Sequence, residues 1–221
     1  MENYNPSIAS TSAISINKVL RNTYLLLSMT LLFSALMAGV SMMFKVSPAV
    51  SLICSFGALG LIWLVLPKTA NSSAGIGVVF AITGLLGFGL GPVLNAYLSL
   101  ANGSELIATS LGGTGVIFLA LSAYVLTTRK DFSFMGGFLM VGLIIAIVAM
   151  VANIFLQIPA LSLALSSAII LIMSGLILYD TSRIIHGGET NYVTATVSLY
   201  LSLYNIFVSL LQILGIFGGD E

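Results

Sequence analysis

The placement of charge constrains this chain more than any motif in it. Seven basic and seven acidic residues are spaced so that long uncharged runs remain at 22–44, 46–67, 69–104, 106–128, 132–179 and 190–219. Only 6% of the residues are charged, where soluble domains carry about 25%, so a water-facing surface cannot be built. In lipid, backbone groups are satisfied only within helices or closed barrels. Barrel strands would show alternation over about ten residues, and these runs show none. The sequence therefore predicts an all-α polytopic membrane protein.

With about 20 apolar residues per crossing, the runs divide into seven spans near 22–44, 48–66, 74–98, 106–127, 132–156, 160–180 and 192–216. The run 132–179 is too long for one helix and breaks at NIFLQIPAL, where Pro159 lacks an amide donor and disfavours helix just before it. With the N-terminus inside, the inner segments carry Lys18, Arg21, Lys68, Arg129, Lys130 and Arg183. The outer segments then carry only Lys45, so the positive-inside rule places the N-terminus in and the C-terminus out. Residues 1–17 read as a flexible cytoplasmic tail and 18–219 as a single transmembrane domain. The opening MENYNPSIASTSAISINK lacks the basic start and apolar core of a cleaved signal.

Several functions are set aside by what the chain lacks. Zero net charge and the absence of a basic block argue against nucleic acid. A single cysteine, Cys54, excludes an intrachain disulfide. One histidine and one cysteine fall short of the three ligands of a catalytic metal site. No second intramembrane aspartate stands near Asp180 for aspartyl proteolysis, and no nucleophile motif surrounds Ser174 or another serine that would meet His186. The expectation is a protein that is not an enzyme and has no cofactor or metal.

Four features invite a functional reading. Asp180 ends the apolar stretch SAIILIMSGLILYD, and a helix capped at Gly187–Gly188 would hold it about 10 Å from the cytoplasmic end. Carboxylates at membrane depth are costly and usually have a task; the alternative is an interfacial aspartate paired with Arg183 one turn on. In the last span Ser198, Ser202, Asn205, Ser209 and Gln212 share one face, directed either to a wet cavity or to interhelical hydrogen bonds. Gly84, Gly87 and Gly91 suit close helix packing, Gly91–Pro92 is a point where the span could kink or break, and SLGGTG at 110–115 reads as close packing too. His186 is a candidate pH sensor or a helix cap, with Glu189 in the same turn solvated or loosely paired to Arg183.

NKVLRNTY, LGPVLNAYLS, SAYVLTTRKDFSFMGG, MVANIFLQIPAL and above all IIHGGETNY followed by ATVSLYLSLYNIFVSLLQILG resemble the transmembrane Bax inhibitor motif family over residues 17–216. The resemblance implies six helices around a central seventh. It is strongest to a bacterial branch associated with FtsH, a membrane-anchored ATP-dependent protease of the inner membrane. Members of that branch act as substrates and inhibitors of the protease. Other branches are pH-sensitive calcium leaks that use an aspartate pair on helices six and seven. Asp180 matches the first aspartate and Ser202 stands where the second would be, so a shared-proton latch lacks one partner. Ser202 would instead donate a hydrogen bond to Asp180. The resemblance thus implies FtsH as partner, with a calcium or proton leak through Asp180, Ser198, Ser202, Asn205 and Arg183 as the alternative. A small-solute transporter would call for inverted repeats or paired broken helices, and one Gly-Pro pair is all the sequence offers.

Overall fold

The computed structural model describes residues 6–218, with side chains from residue 16 onward. The described residues are helical with no strand, and seven helices are long and apolar enough to cross a membrane. Large apolar side chains on their outer surfaces, among them Leu32, Trp63, Phe138, Ile145 and Phe155, are exposed as a lipid-facing surface requires.

Helix α1 spans Pro6–Met43, and its apolar part starts at Ile16. This corrects the expected tail: residues 6–17 are helical, while 1–5 lie outside the described residues. Pro6 has the backbone angle for a first helical position. Extending an existing helix also avoids the cost of nucleating a new one. Helix α2 starts at Pro48, where Ser47 Oγ accepts from Ala49 N, and reaches Thr69 rather than ending near residue 66. Within it, Leu61–Val65 form a π-turn. Pro67 has no N–H for the carbonyl four residues back, and the widened turn lets Leu66 N reach Leu61 O instead.

Helices α3 (Ala74–Leu98), α4 (Gly103–Thr128) and α5 (Gly136–Leu156) follow, the last preceded by a short 3₁₀ turn at Ser133–Met135. Pro92 sits inside α3, which runs over the predicted 74–98 without a break. The chain turns at Gln157 (φ 52°), and α6 runs Pro159–Ile185, longer than the predicted 160–180. Helix α7 covers Tyr192–Gly218. Lys45, Arg129 and Gln157 adopt the left-handed conformation just beyond α1, α4 and α5, a place usually taken by glycine.

Helix α7 makes its main contacts with α1, α3, α4 and α6, whereas α2 packs on α3 and α5 on α6. The most extensive contact joins α1 to α3, and glycine explains it. A Cβ on Gly84 would strike the Phe33 ring, one on Gly87 the Ser34 backbone, and one on Gly91 the Ser41 side chain. The glycines of α4 differ from that expectation. Of those in SLGGTG, only Gly113 faces a neighbour, Leu210, while Gly112 and Gly115 look into open space. The bundle has a basic end, carrying Lys68, Arg129, Lys130 and Arg183, and an opposite end with Lys45 and Glu105.

Candidate functional site

Asp180 lies on α6 five residues before Ile185, about 7.5 Å from the basic end of that helix. It is 8% exposed, and its Oδ2 accepts a hydrogen bond of 2.5 Å from Ser198 Oγ. Ser198 stands six residues into the antiparallel α7, so the two groups come level. The partner is thus Ser198 and not Ser202. Ser202 lies one turn further from the basic end, about 6 Å away along the axis, and is 1% exposed.

Arg183 does not pair with Asp180. Its guanidinium turns outward, where it donates to Gly188 O at 2.8 Å, lies 3.8 Å from Glu189 and rests 5.5 Å from the Tyr179 ring. Basic side chains in the last turn often bond the final carbonyls in this manner. His186 has Nδ1 2.9 Å from Ser182 O and Nε2 3.1 Å from Arg129 O. A neutral imidazole can donate to only one of these acceptors. The ring links the end of α4 to the end of α6.

The polar face of α7 splits between two environments. Asn205, Ser209 and Gln212 line a 370 Å³ cavity with Asn153 of α5 and Ser162 and Ser166 of α6. An adjoining 550 Å³ space shares Asn153, Ser162 and Gln212 and reaches Tyr97 and Gln157. Within this region Ser166 Oγ donates to Gln212 Oε1 at 2.8 Å, and Asn153 Nδ2 to Ser162 Oγ at 2.7 Å. Toward the basic end Ser198 borders a separate 370 Å³ cleft between α2 and α7, lined by Ile62, Leu66 and Leu201 and shaped by the π-turn region. Buried Ser202 lies between the two. The chemistry on offer is hydrogen bonding and cation coordination by neutral oxygens, with one carboxylate near the basic end.

Several positioning residues escaped the sequence reading. Ser182, fully buried one turn before His186, accepts from Phe132 N at 2.9 Å and lies within reach of Asp131, so it ties the α4–α5 loop to α6. Asn191 caps α7 through Val193 N (2.9 Å) while its amide donates to Ala70 O (3.0 Å) and Asn71 Oδ1 (2.8 Å). Its signal was an asparagine directly before a predicted helix. Tyr200 holds three helices together, at 2.6 Å from Ser34 Oγ on α1 and donating to Thr83 O on α3. No sequence signal marked it.

This fold and site define a multi-pass helical membrane protein whose only carboxylate among the polar groups of α6 and α7 is hydrogen-bonded to the last helix. The chain belongs to the Bax1-I family, inhibitor of apoptosis-promoting Bax1, whose pattern matches residues 16–219. It is 58% identical over 210 residues, 95% of each chain, to the modulator of FtsH protease YccA of Escherichia coli K12. The inner membrane protein YccA of Escherichia coli O6:H1 matches with the same identity and coverage. A membrane protein of Vibrio cholerae is 52% identical over 205 residues, covering 93% of this chain and 92% of its own. The chain is accordingly a multi-pass protein of the bacterial inner membrane.

Proposed function

We propose that this chain is a non-enzymatic regulator that binds FtsH, limits its degradation of other membrane proteins and is itself degraded slowly. The observation that carries this is identity of 58% across 95% of both chains to a modulator of that protease. The charge asymmetry supports an orientation with the N-terminus and the basic end in the cytoplasm, and with it residues 1–17 as the segment the protease engages. The interlock of α1 with α3 through Gly84, Gly87 and Gly91 supports slow extraction, because the first helix pulled leaves a backbone-to-backbone contact.

The test is affinity capture of the detergent-solubilised, tagged protein from inner membranes, followed by mass spectrometry. Recovery of FtsH, lost on deleting residues 2–16, is expected. A preparation free of the protease, under conditions that preserve its known complexes, would overturn the regulator reading. Unchanged turnover of the deletion variant would overturn the role of the tail.

One observation favours a second reading, a calcium or proton leak. Asp180 is bonded to the same polar face of α7 that lines the amide-rich cavity at the other end. On this reading Asp180→Asn changes ion flux in proteoliposomes, and equal flux from both proteins rejects it. The two roles are compatible.

A further inference from the structure

A 450 Å³ groove runs between α1 and α4, floored by α3 and α7. Its walls include Leu31, Ala35, Leu90, Leu111, Leu203 and Phe207. Three of its four hydroxyls are engaged inside the protein: Ser34 with Tyr200, Tyr200 with Thr83 O, and Thr114 with Ser110 O. The fourth, on Tyr204, has no partner among the described residues, and the rest of the lining is apolar. Toward the basic end the groove is closed by Tyr24 on Phe118, ring centroids 5.7 Å apart.

The groove exists because of two glycines. Gly39 and Gly115 line it, and a Cβ built on either would find nothing within 4 Å. Glycine lowers helix stability by about 0.5–1 kcal/mol relative to alanine, and neither of these supports the close approach that explains Gly87 and Gly91. What their missing side chains leave is room.

From Leu31 to Met42 the groove is about 16 Å long at 1.5 Å per residue. Its walls are apolar and it opens beside exposed Leu31 and Leu111 on the lipid-facing surface, so the occupant that its surroundings supply is an unbranched hydrocarbon chain. Three residues past Met42 stands exposed Lys45, and two residues before Ile107, which also lines the groove, stands exposed Glu105. Neither is in an ion pair; the salt bridge among the described residues is Arg183–Glu189. One cation and one anion at the open end match the phosphate and ammonium of a zwitterionic headgroup.

We infer that this groove holds one acyl chain of a phosphatidylethanolamine-type lipid from the leaflet at the Lys45 end, with its headgroup between Lys45 and Glu105. The lipid takes the place of side chains that Gly39 and Gly115 lack and completes the contact between α1 and α4.

Native mass spectrometry of the full chain, released from mild detergent after addition of phosphatidylethanolamine or phosphatidylglycerol with matched chains, tests this. The wild type is expected to retain one phosphatidylethanolamine in preference to phosphatidylglycerol. Gly39→Leu with Gly115→Leu should lower that retention at least about tenfold, the effect of forfeiting burial of roughly two methylenes. Gly112→Leu, on the same helix outside the groove, should leave it unchanged. Glu105→Gln should abolish the headgroup preference, because both lipids carry the phosphate that Lys45 would meet and only phosphatidylethanolamine carries an ammonium for Glu105. A wild type that retains no lipid, or that shows no headgroup preference, overturns the proposal even if the double variant fails to fold. Equal retention by a folded double variant also overturns it.

Discussion

Replacing Gly87 with alanine adds one methyl group and should nonetheless destabilise the bundle measurably. The new Cβ would fall 2.8 Å from Ser34 Cα and still closer to the Ser34 carbonyl and hydroxyl oxygens. Backbone atoms of α1 cannot turn aside as a side-chain tip can, so α1 and α3 must separate along their contact. Overpacking of this kind costs about 1–3 kcal/mol. The helix propensity of alanine returns up to about 1 kcal/mol, so with overpacking near the upper end of that range a net loss of up to about 2 kcal/mol is expected. Gly112→Ala provides the reference, since its Cβ meets nothing within 4 Å and only the propensity gain of up to about 1 kcal/mol remains. Unfolding of both variants in mixed micelles, followed by thermal or denaturant titration, should therefore order them as Gly112→Ala, wild type, Gly87→Ala. If Gly87→Ala proves as stable as Gly112→Ala, close packing does not hold α1 against α3. Under the proposed function, Gly87→Ala should also be extracted and degraded faster by the protease.

Ser198→Ala leaves Asp180 Oδ2 without its donor at 8% exposure, which costs about 1–3 kcal/mol for an unsatisfied buried acceptor; a folded-state stability equal to wild type would show that water replaces the serine. Asn191→Ala removes the α7 cap, worth about 0.5–2 kcal/mol, together with two bonds to the end of α2, and should raise amide exchange at Val193 and Thr194 before any global unfolding. Asp131 is held below the usual carboxylate range by hydrogen bonds from Ser133, with smaller help from His186 and Ser182. A depressed pKa stabilises the fold above the ordinary carboxylate range and loses that contribution as pH falls through the lowered value. Protection of the Ser133 amide should therefore persist at neutral pH, fade on acidification below about pH 3.9, and lose this pH dependence in Asp131→Asn.

The seven spans could be located from the sequence because lipid leaves the backbone few choices, so uncharged runs translate directly into helices. The α5–α6 break was legible for the same kind of local reason, the missing donor at Pro159 and the bias against helix just before it. Other boundaries were not. Helix α2 passes Pro67 through a π-turn and so runs on beyond residue 66, whereas α3 covers its predicted span with Pro92 inside it. Residues 6–17 were read as unstructured from composition, which does not register that they extend a helix already nucleated by the span. At the site, periodicity put five polar residues of α7 on one face. It did not identify the one opposite Asp180, because register between antiparallel helices depends on the length of the Gly187–Asn191 connection. Likewise, Gly-rich sequence announced proximity in both α3 and α4. Only three-dimensional packing shows that one set brings backbones together and the other leaves a space.

The division of the α7 polar face between two cavities also bears on membrane voltage. Asn205 and Ser198 are seven residues apart, about 10 Å along the helix, in a hydrocarbon layer about 30 Å thick. Where water fills the amide-lined cavity and the opposing cleft, nearly all of the potential falls across that short segment, and the local field is about three times that of an unbroken bilayer. A unit charge crossing it exchanges about 2.3 kcal/mol per 100 mV. Asp180 stands at the edge of this segment, so a proton or cation moving between it and Asn205 would sense most of the membrane potential within two turns of one helix.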